Sequence, residues 1–283
     1  MSLVKKLVLS LLLLLVSSLA WANEYIIVVP FPPGGGTDST ARYLAKQLTD
    51  RYNDKFIVIN RPGANGMIGF RHMLETAKTN PNVIYFGTNG SNVVEGLLNP
   101  MPDINVARDS KTLFIIAKFD LQILALKDSA INTLADVKNQ NISSYSAALE
   151  LFARAMGMDK NGNVIVPYKG EAPARLALLS KEVPLASDTS IMTDDFRSKV
   201  KVVANGGPVG FYSVYSFDVP NSFDTFKLSD LNTKLNRILR DPEVQKWFES
   251  RGLRPLGGTP EEGDKIYNSL RTRFAKVVDQ NRK

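Results

Sequence analysis

Hydrophobic and polar positions alternate along this chain in blocks that read as strands, loops and helices in turn. Tyr25-Ile26-Ile27-Val28-Val29 is a short, continuous apolar run dominated by β-branched residues. That is the pattern of a strand buried on both faces in a parallel sheet covered by helices. Turn chemistry follows at once in Pro30-Phe31-Pro32-Pro33-Gly34-Gly35-Gly36. Ala41, Leu44, Ala45 and Leu48 then recur at helical spacing, with Thr37 as the expected N-cap. The block repeats: strand Phe56–Ile59, the loop Asn60-Arg61-Pro62-Gly63-Ala64-Asn65-Gly66, and a helix with Phe70, Met73, Leu74 and Ala77 on one face. A third strand, Val83–Phe86, enters Gly87-Thr88-Asn89-Gly90-Ser91-Asn92. Such alternation predicts βαβ units and a mostly parallel sheet.

A second set follows over residues 123–214. Ile123–Leu126, Val164–Pro167 and Val183–Ala186 read as strands, Ala147–Met156 and Ala172–Leu179 as helices. The remainder is helical. Leu231, Leu235, Ile238 and Leu239 share a face, Asp241-Pro242 starts a helix that stops at Gly252, and Thr259-Pro260-Glu261-Glu262 is a capping box.

Gly-rich turns ahead of helices carry a chemical implication. Ligands of open parallel sheets bind beyond the carboxyl ends of the strands. A helix N-terminus there offers unpaired N–H groups and the positive end of the helix dipole, a ready anion site. A phosphate-binding Walker loop is excluded because the first loop has no lysine; the dinucleotide fingerprint fails because Ser39 stands where its third glycine belongs. A carboxylate is the better anion.

Composition narrows the class. Met1–Ala22 has a basic start at Lys5 and Lys6, an apolar core of Leu7–Val16 and an Ala20-Trp21-Ala22 cleavage site, the layout of a secretory signal peptide. The mature chain, from Asn23, has no further run long enough to span a bilayer as a helix. With no cysteine in the sequence, thiolate chemistry and a cysteine-borne lipid anchor are excluded. The net charge of +7, two of it from the leader, is scattered and not striped with aromatics, which argues against nucleic-acid binding. The expectation is a secreted, non-lipidated, soluble protein.

Val29-Pro30-Phe31-Pro32-Pro33-Gly34-Gly35-Gly36-Thr37-Asp38 and Asn60-Arg61-Pro62-Gly63-Ala64-Asn65-Gly66 closely resemble the N-terminal loops of the tripartite tricarboxylate transporter receptors, the Bug family. Val166-Pro167-Tyr168-Lys169-Gly170 with Ala172-Pro173-Ala174 resembles their second-lobe motif; Asp241-Pro242-Glu243-Val244 and Gly257-Gly258-Thr259-Pro260-Glu261-Glu262 resemble their C-terminal signature. The resemblance implies an α/β, two-lobed periplasmic binding protein fold of type II, each lobe a mostly parallel sheet flanked by helices. Residues 23–122 with 215–283 would form the first lobe and 123–214 the second.

It further implies a periplasmic monomer that captures a small carboxylate (a di- or tricarboxylate, an acidic amino acid or an aromatic acid) without a cofactor and delivers it to the permease subunits of a tripartite tricarboxylate-type transporter. The matching ligand positions are Phe31, Gly35, Gly36, Thr37 and Asp38, then Ala64, Asn65 and Met67, with polar contacts from Thr88, Asn89 and Ser91. Across the cleft stand Lys169, Gly170 and Asp188, Lys169 being the expected partner of a second carboxylate. The second lobe departs from the family pattern. A shortened Asn141-Ile142-Ser143-Ser144-Tyr145-Ser146 replaces a Gly/Ser-rich loop, so Ser144, Tyr145 and Ser146 become candidate hydroxyl donors, and residues 202–210 are shortened too.

Two other classes stay open. An enzyme is disfavoured: the lone His72 lies off its helix's apolar face, no nucleophile elbow or metal-ligand spacing is present, and Asp38 suits a helix dipole as well as a general base. A ligand-independent interaction protein for a membrane sensor is the third. For a binder, the expected hinge strands are Leu121–Leu124 and Val214–Phe217, about which the lobes close.

Overall fold

The computed structural model describes residues 23–207 and 210–281; the expected leader, 1–22, lies outside them. Strand β1 (Glu24–Val29) is followed by helix α1 (Gly36–Tyr52) and strand β2 (Lys55–Asn60). Helix α2 (Met67–Thr76) and β3 (Val83–Thr88) come next. The sheet runs parallel in the order β2-β1-β3. The helix faces agree with the sequence pattern: Leu44, Leu48, Phe70 and Met73 are fully buried. One detail differs. Gly35, not Thr37, is the N-cap of α1, with extended backbone and no side-chain capping bond.

After β3, a π-helical turn (Gly90–Val94) leads into short helices α3 (Glu95–Leu98) and α4 (Val106–Asp109). Strand β4 (Ser110–Leu126) then runs for 17 residues, most of them buried. The second set follows: β5 (Asn141–Ser144), α5 (Ala147–Ala155), β6 (Val164–Pro167), α6 (Glu171–Leu179), β7 (Leu185–Thr189), α7 (Asp194–Lys199) and β8 (Val200–Asn205). The chain returns through β9 (Tyr212–Pro220) to α8 (Thr225–Leu239), α9 (Pro242–Glu249), the two-residue β10 (Arg254–Pro255) and α10 (Pro260–Asn281). Asn141–Ser144 is thus a strand rather than part of a loop, and the strand expected at Val183–Ala186 begins two residues later, at Leu185.

Strand β4 joins the two halves. From Ser110 to Asp120 it pairs antiparallel with β9, which in turn pairs with β3. From Leu121 onward it pairs antiparallel with β7 and largely with β8, while β7-β5-β6 are mutually parallel. Register shifts at Thr112/Phe114, Ile115/Ala117 and Ile123/Leu124 mark irregularities that twist such a strand.

One core lies under α1, α8 and α9, where Phe86, Phe114, Phe217, Leu235 and Phe248 meet. A second core crosses between the halves: Tyr267, Leu270 and Phe274 of α10 pack with Leu149 and Phe152 of α5 and with Val93 and Val94. Burying each large apolar side chain contributes about 1.5–3 kcal/mol. The C-terminal helix therefore fastens both halves together, which its sequence assignment to the first lobe alone does not convey.

Candidate ligand-binding cleft

The first turn of α1 has no side-chain cap, so its leading amides carry the exposed positive end of a 17-residue helix. Asp38, only 4% exposed, organises the turn from within. Its carboxylate accepts from the Gly34 amide at 3.0 Å, from Asn60 Nδ2 at 2.9 Å and from Arg42 Nε at 3.0 Å. Asn60 also donates to the Phe31 carbonyl at 3.0 Å. Burial works against the charged form of Asp38, but the bonds from Arg42, Gly34 and Asn60 outweigh it and hold the carboxyl below its usual range. Asp38 thus ties the first loop to the second and presents its charge to the protein, not to the cleft.

The second loop is bent sharply: Gly63, Ala64, Asn65 and Gly66 have φ of 127°, 44°, 46° and 101°. Ala64 and Asn65 therefore hold the left-handed region in succession, a strain that surrounding structure must impose. At Gly66 a side chain is excluded, since a Cβ would lie 2.8 Å from both Ser91 Cβ and Tyr85 Oη. Ala64 and Asn65 are exposed, and Asn65 donates to Glu95 at 2.7 Å. Met67 is buried. At the third junction, the Thr88 amide donates to Ser91 Oγ at 3.1 Å and the Ser91 amide to Thr88 Oγ1 at 3.2 Å. Asn89 Oδ1 accepts from Ser213, and its Nδ2 donates to the Tyr212 carbonyl at 3.4 Å. These polar groups stiffen the floor of the cleft; the main chain of α1 is what remains free to meet a ligand.

Below them is a buried polar network. Asp218 accepts from Asn92 Nδ2 at 2.7 Å and Ser216 Oγ at 2.6 Å, and Asn92 also donates to Tyr267 Oη at 2.9 Å. Complete burial raises the Asp218 carboxyl to about 7 in spite of these donors. The network fastens the third loop to β9 and α10.

The second wall is built by residues that the sequence singled out only in part. Arg175 grips Asp188 through two bonds, Nε to Oδ2 at 2.8 Å and Nη2 to Oδ1 at 2.9 Å. Nη2 also donates to the Ile191 carbonyl at 2.7 Å, and Nη1 pairs with Glu171 one turn earlier on α6. Tyr145 Oη and the Thr189 amide donate to Asp188 Oδ1 at 2.9 and 2.7 Å. The guanidinium stacks 4.6 Å from the Phe196 ring centroid. Burial opposes the charge on Arg175, but the Asp188 and Glu171 carboxylates hold its pKa above the ordinary value. Ser144 Oγ donates to the Ser146 carbonyl at 3.3 Å, and Ser146 Oγ caps α5 at the Leu149 amide. Lys169 is exposed and Gly170 half-buried.

The two walls meet at Gly36. A Cβ there would lie 3.1 Å from Tyr215 Oη and 3.6 Å from Ile191 Cγ2. Tyr215 is 5% exposed, its ring held by Phe86 and Phe119 at centroid distances of 5.0 and 4.7 Å. Its hydroxyl has no hydrogen-bond partner among the described residues. Burial first, then the Glu171 charge, pushes its pKa up, so it stays protonated and able to donate. Tyr215, Arg175, Glu171 and Ile191 are the residues that sequence reading missed as site candidates. The one available signal was Glu171/Arg175, an acid–base pair at i, i+4 opening a helix.

A separate cavity of about 310 Å³ opens on the flank of the first half, lined in part by Met67, Ser91, Asn99 and Arg271. It contains Glu95, whose oxygens take the amides of Asn65 and Asn99 at 2.7 and 2.9 Å.

No helix among the described residues is long and apolar enough to cross a membrane. No cluster of three potential metal ligands occurs among them, and His72 is half-buried.

No family model matches the chain. It is 24% identical to Protein BugT of Bordetella pertussis, with 91% of this chain and 89% of BugT covered. The solved R. palustris protein Rpa4515 with adipate superposes with a TM-score of 0.78 at 21% identity, covering 92% of this chain and 97% of that one. MatC from Rhodopseudomonas palustris with bound malate gives 0.72 at 19% identity, covering 90% and 99%. These solved structures share the two-lobed fold of periplasmic binding proteins.

Proposed function

We propose that this chain, a divergent relative of the Bug receptors, is a periplasmic solute-binding protein that captures a small carboxylate between its two halves. The observation that carries the reading is the pairing of an uncapped α1 turn with the Tyr215 hydroxyl that faces it, unpartnered among the described residues. A carboxylate bridging them would accept main-chain N–H bonds and one phenolic bond, with the helix dipole favouring its charge. Relatives solved with adipate and malate support the ligand class. We read the chain as a binder and not an enzyme, a reading supported by the internal bonds that hold Asp38 and Asp188.

The lobes divide within a few residues of the point where β4 passes from β9 to β7, with residues 23–122 and 215–283 on one side and 123–214 on the other. Ligand draws the walls together by bending at Leu121–Leu124 and Val214–Phe217. The packing of α10 into both halves resists that movement. The closed form is what the permease subunits of a tripartite tricarboxylate-type transporter recognise.

Thermal denaturation with a panel of mono-, di- and tricarboxylates tests the reading. A ligand at about 100 times its Kd stabilises the fold by about 2.7 kcal/mol. No shift across the panel would favour the interaction protein instead, a reading to which the internally bonded second wall lends weight.

A further inference from the structure

The wall facing α1 carries two carboxylates, Glu171 and Asp188, against the single guanidinium of Arg175. Asp188 is sealed in, its side chain 1% exposed, while the Glu171 side chain is 42% exposed. One Glu171 oxygen pairs with Arg175; the other has no partner among the described residues. The guanidinium has little left to offer, since Nε, Nη1 and Nη2 already serve Asp188, Glu171 and the Ile191 carbonyl. A second carboxylate on a ligand would have to displace Glu171 and would then sit among like charges. A cationic head would instead find a partly desolvated carboxylate.

The cation wall and the anion turn are adjacent. Ile191, whose carbonyl Arg175 holds, lies against Gly36, and Tyr215 beside that glycine feels the Glu171 charge. Lys169, two residues before Glu171, is exposed on the preceding loop, and no bond among the described residues brings it to the wall. We infer that Glu171 makes the cleft selective for a net-neutral amino carboxylate, its carboxylate at the first turn of α1 and its ammonium at Glu171, over a dicarboxylate of the same length. The inference rests on the binding reading above and assigns Glu171 as its specificity residue.

Calorimetric titration of the mature chain with straight-chain acids of two to six carbons tests it, each length supplied as monocarboxylate, dicarboxylate and ω-amino acid. The tightest ligand should be an ω-amino acid, about tenfold or more tighter than the matching dicarboxylate, as one charge pair near the surface can provide. Glu171→Gln should erase that preference, and Glu171→Asp should restore part of it. Gly36→Val, which fills the anion turn, should weaken every class alike. A dicarboxylate that equals or beats its ω-amino counterpart overturns the amino-carboxylate inference and leaves carboxylate capture standing. Failure of all three classes to bind, or equal binding by the Gly36→Val protein, overturns both.

Discussion

Replacing Arg175 by Met should leave Asp188 buried and charged with only the Tyr145 hydroxyl and the Thr189 amide to satisfy it. The lost partners are two charge-assisted bonds of 2.8 and 2.9 Å at a carboxylate 1% exposed. The Ile191 carbonyl loses its donor as well. Breaking one side of a buried ion pair costs about 3–5 kcal/mol. The two surviving donors place this case near the lower end, about 3 kcal/mol. The Arg175 guanidinium lies over the Phe196 ring, and a Met thioether should keep an apolar contact there, so little of the loss should be packing. Asp188→Asn in the Arg175→Met background removes the stranded charge and should recover at least about 1.5 kcal/mol, a coupling typical of groups in one network. Equilibrium urea unfolding of parent, both singles and the double, with an unchanged m-value, measures this directly. A single Arg175→Met variant within about 0.5 kcal/mol of the parent would refute the buried-pair reasoning, because exposed pairs contribute that little.

Two further outcomes follow from the floor of the cleft. Asp218, raised to about 7 by burial, binds a proton in the folded state that the unfolded chain has released above about pH 4. Stability from this group is therefore full below about pH 4 and is lost as pH rises to about 7, by at most roughly 4 kcal/mol. Asp218→Asn should accordingly gain on the parent between pH 5 and pH 8 in urea unfolding; an identical difference at both pH values would contradict the assignment. Gly66→Ala forces a Cβ into φ of 101° and to within 2.8 Å of Ser91 and Tyr85. It should destabilise by more than about 1 kcal/mol and weaken carboxylate binding, checked by thermal denaturation with and without succinate.

The strand-loop-helix rhythm of residues 24–88 was legible because burial on both faces leaves continuous β-branched runs, as at Ile27 and Val29, and because Gly and Pro punctuate them. Strand β5 was not, since Asn141-Ile142-Ser143-Ser144 has polar composition. It is a strand because its backbone pairs with both β6 and β7, and its buried Ser143 hydroxyl is satisfied by the Ala174 carbonyl at 3.2 Å, neither of which spacing alone reveals. The opening half of β4 escaped for the converse reason: an apolar run such as Leu113–Ala117 has no period that separates strand from buried helix. At the site, the Gly-rich turns were visible as local chemistry. Arg175 was not, because its meaning comes from Asp188, which only the fold brings opposite it. Likewise Tyr215 lies in the buried stretch of β9 and becomes a site residue only where that strand passes Gly36.

Amide chemical shifts of residues 23–283, followed while succinate and then 4-aminobutanoate are added to saturation, bear most directly on where the negative head group rests. The Gly35, Gly36 and Thr37 amides should move furthest, with smaller changes around Tyr215. Perturbations gathered instead about Asn99, Asn105 and Arg271 on the flank, with Gly36 unmoved, would contradict capture by the first turn of α1.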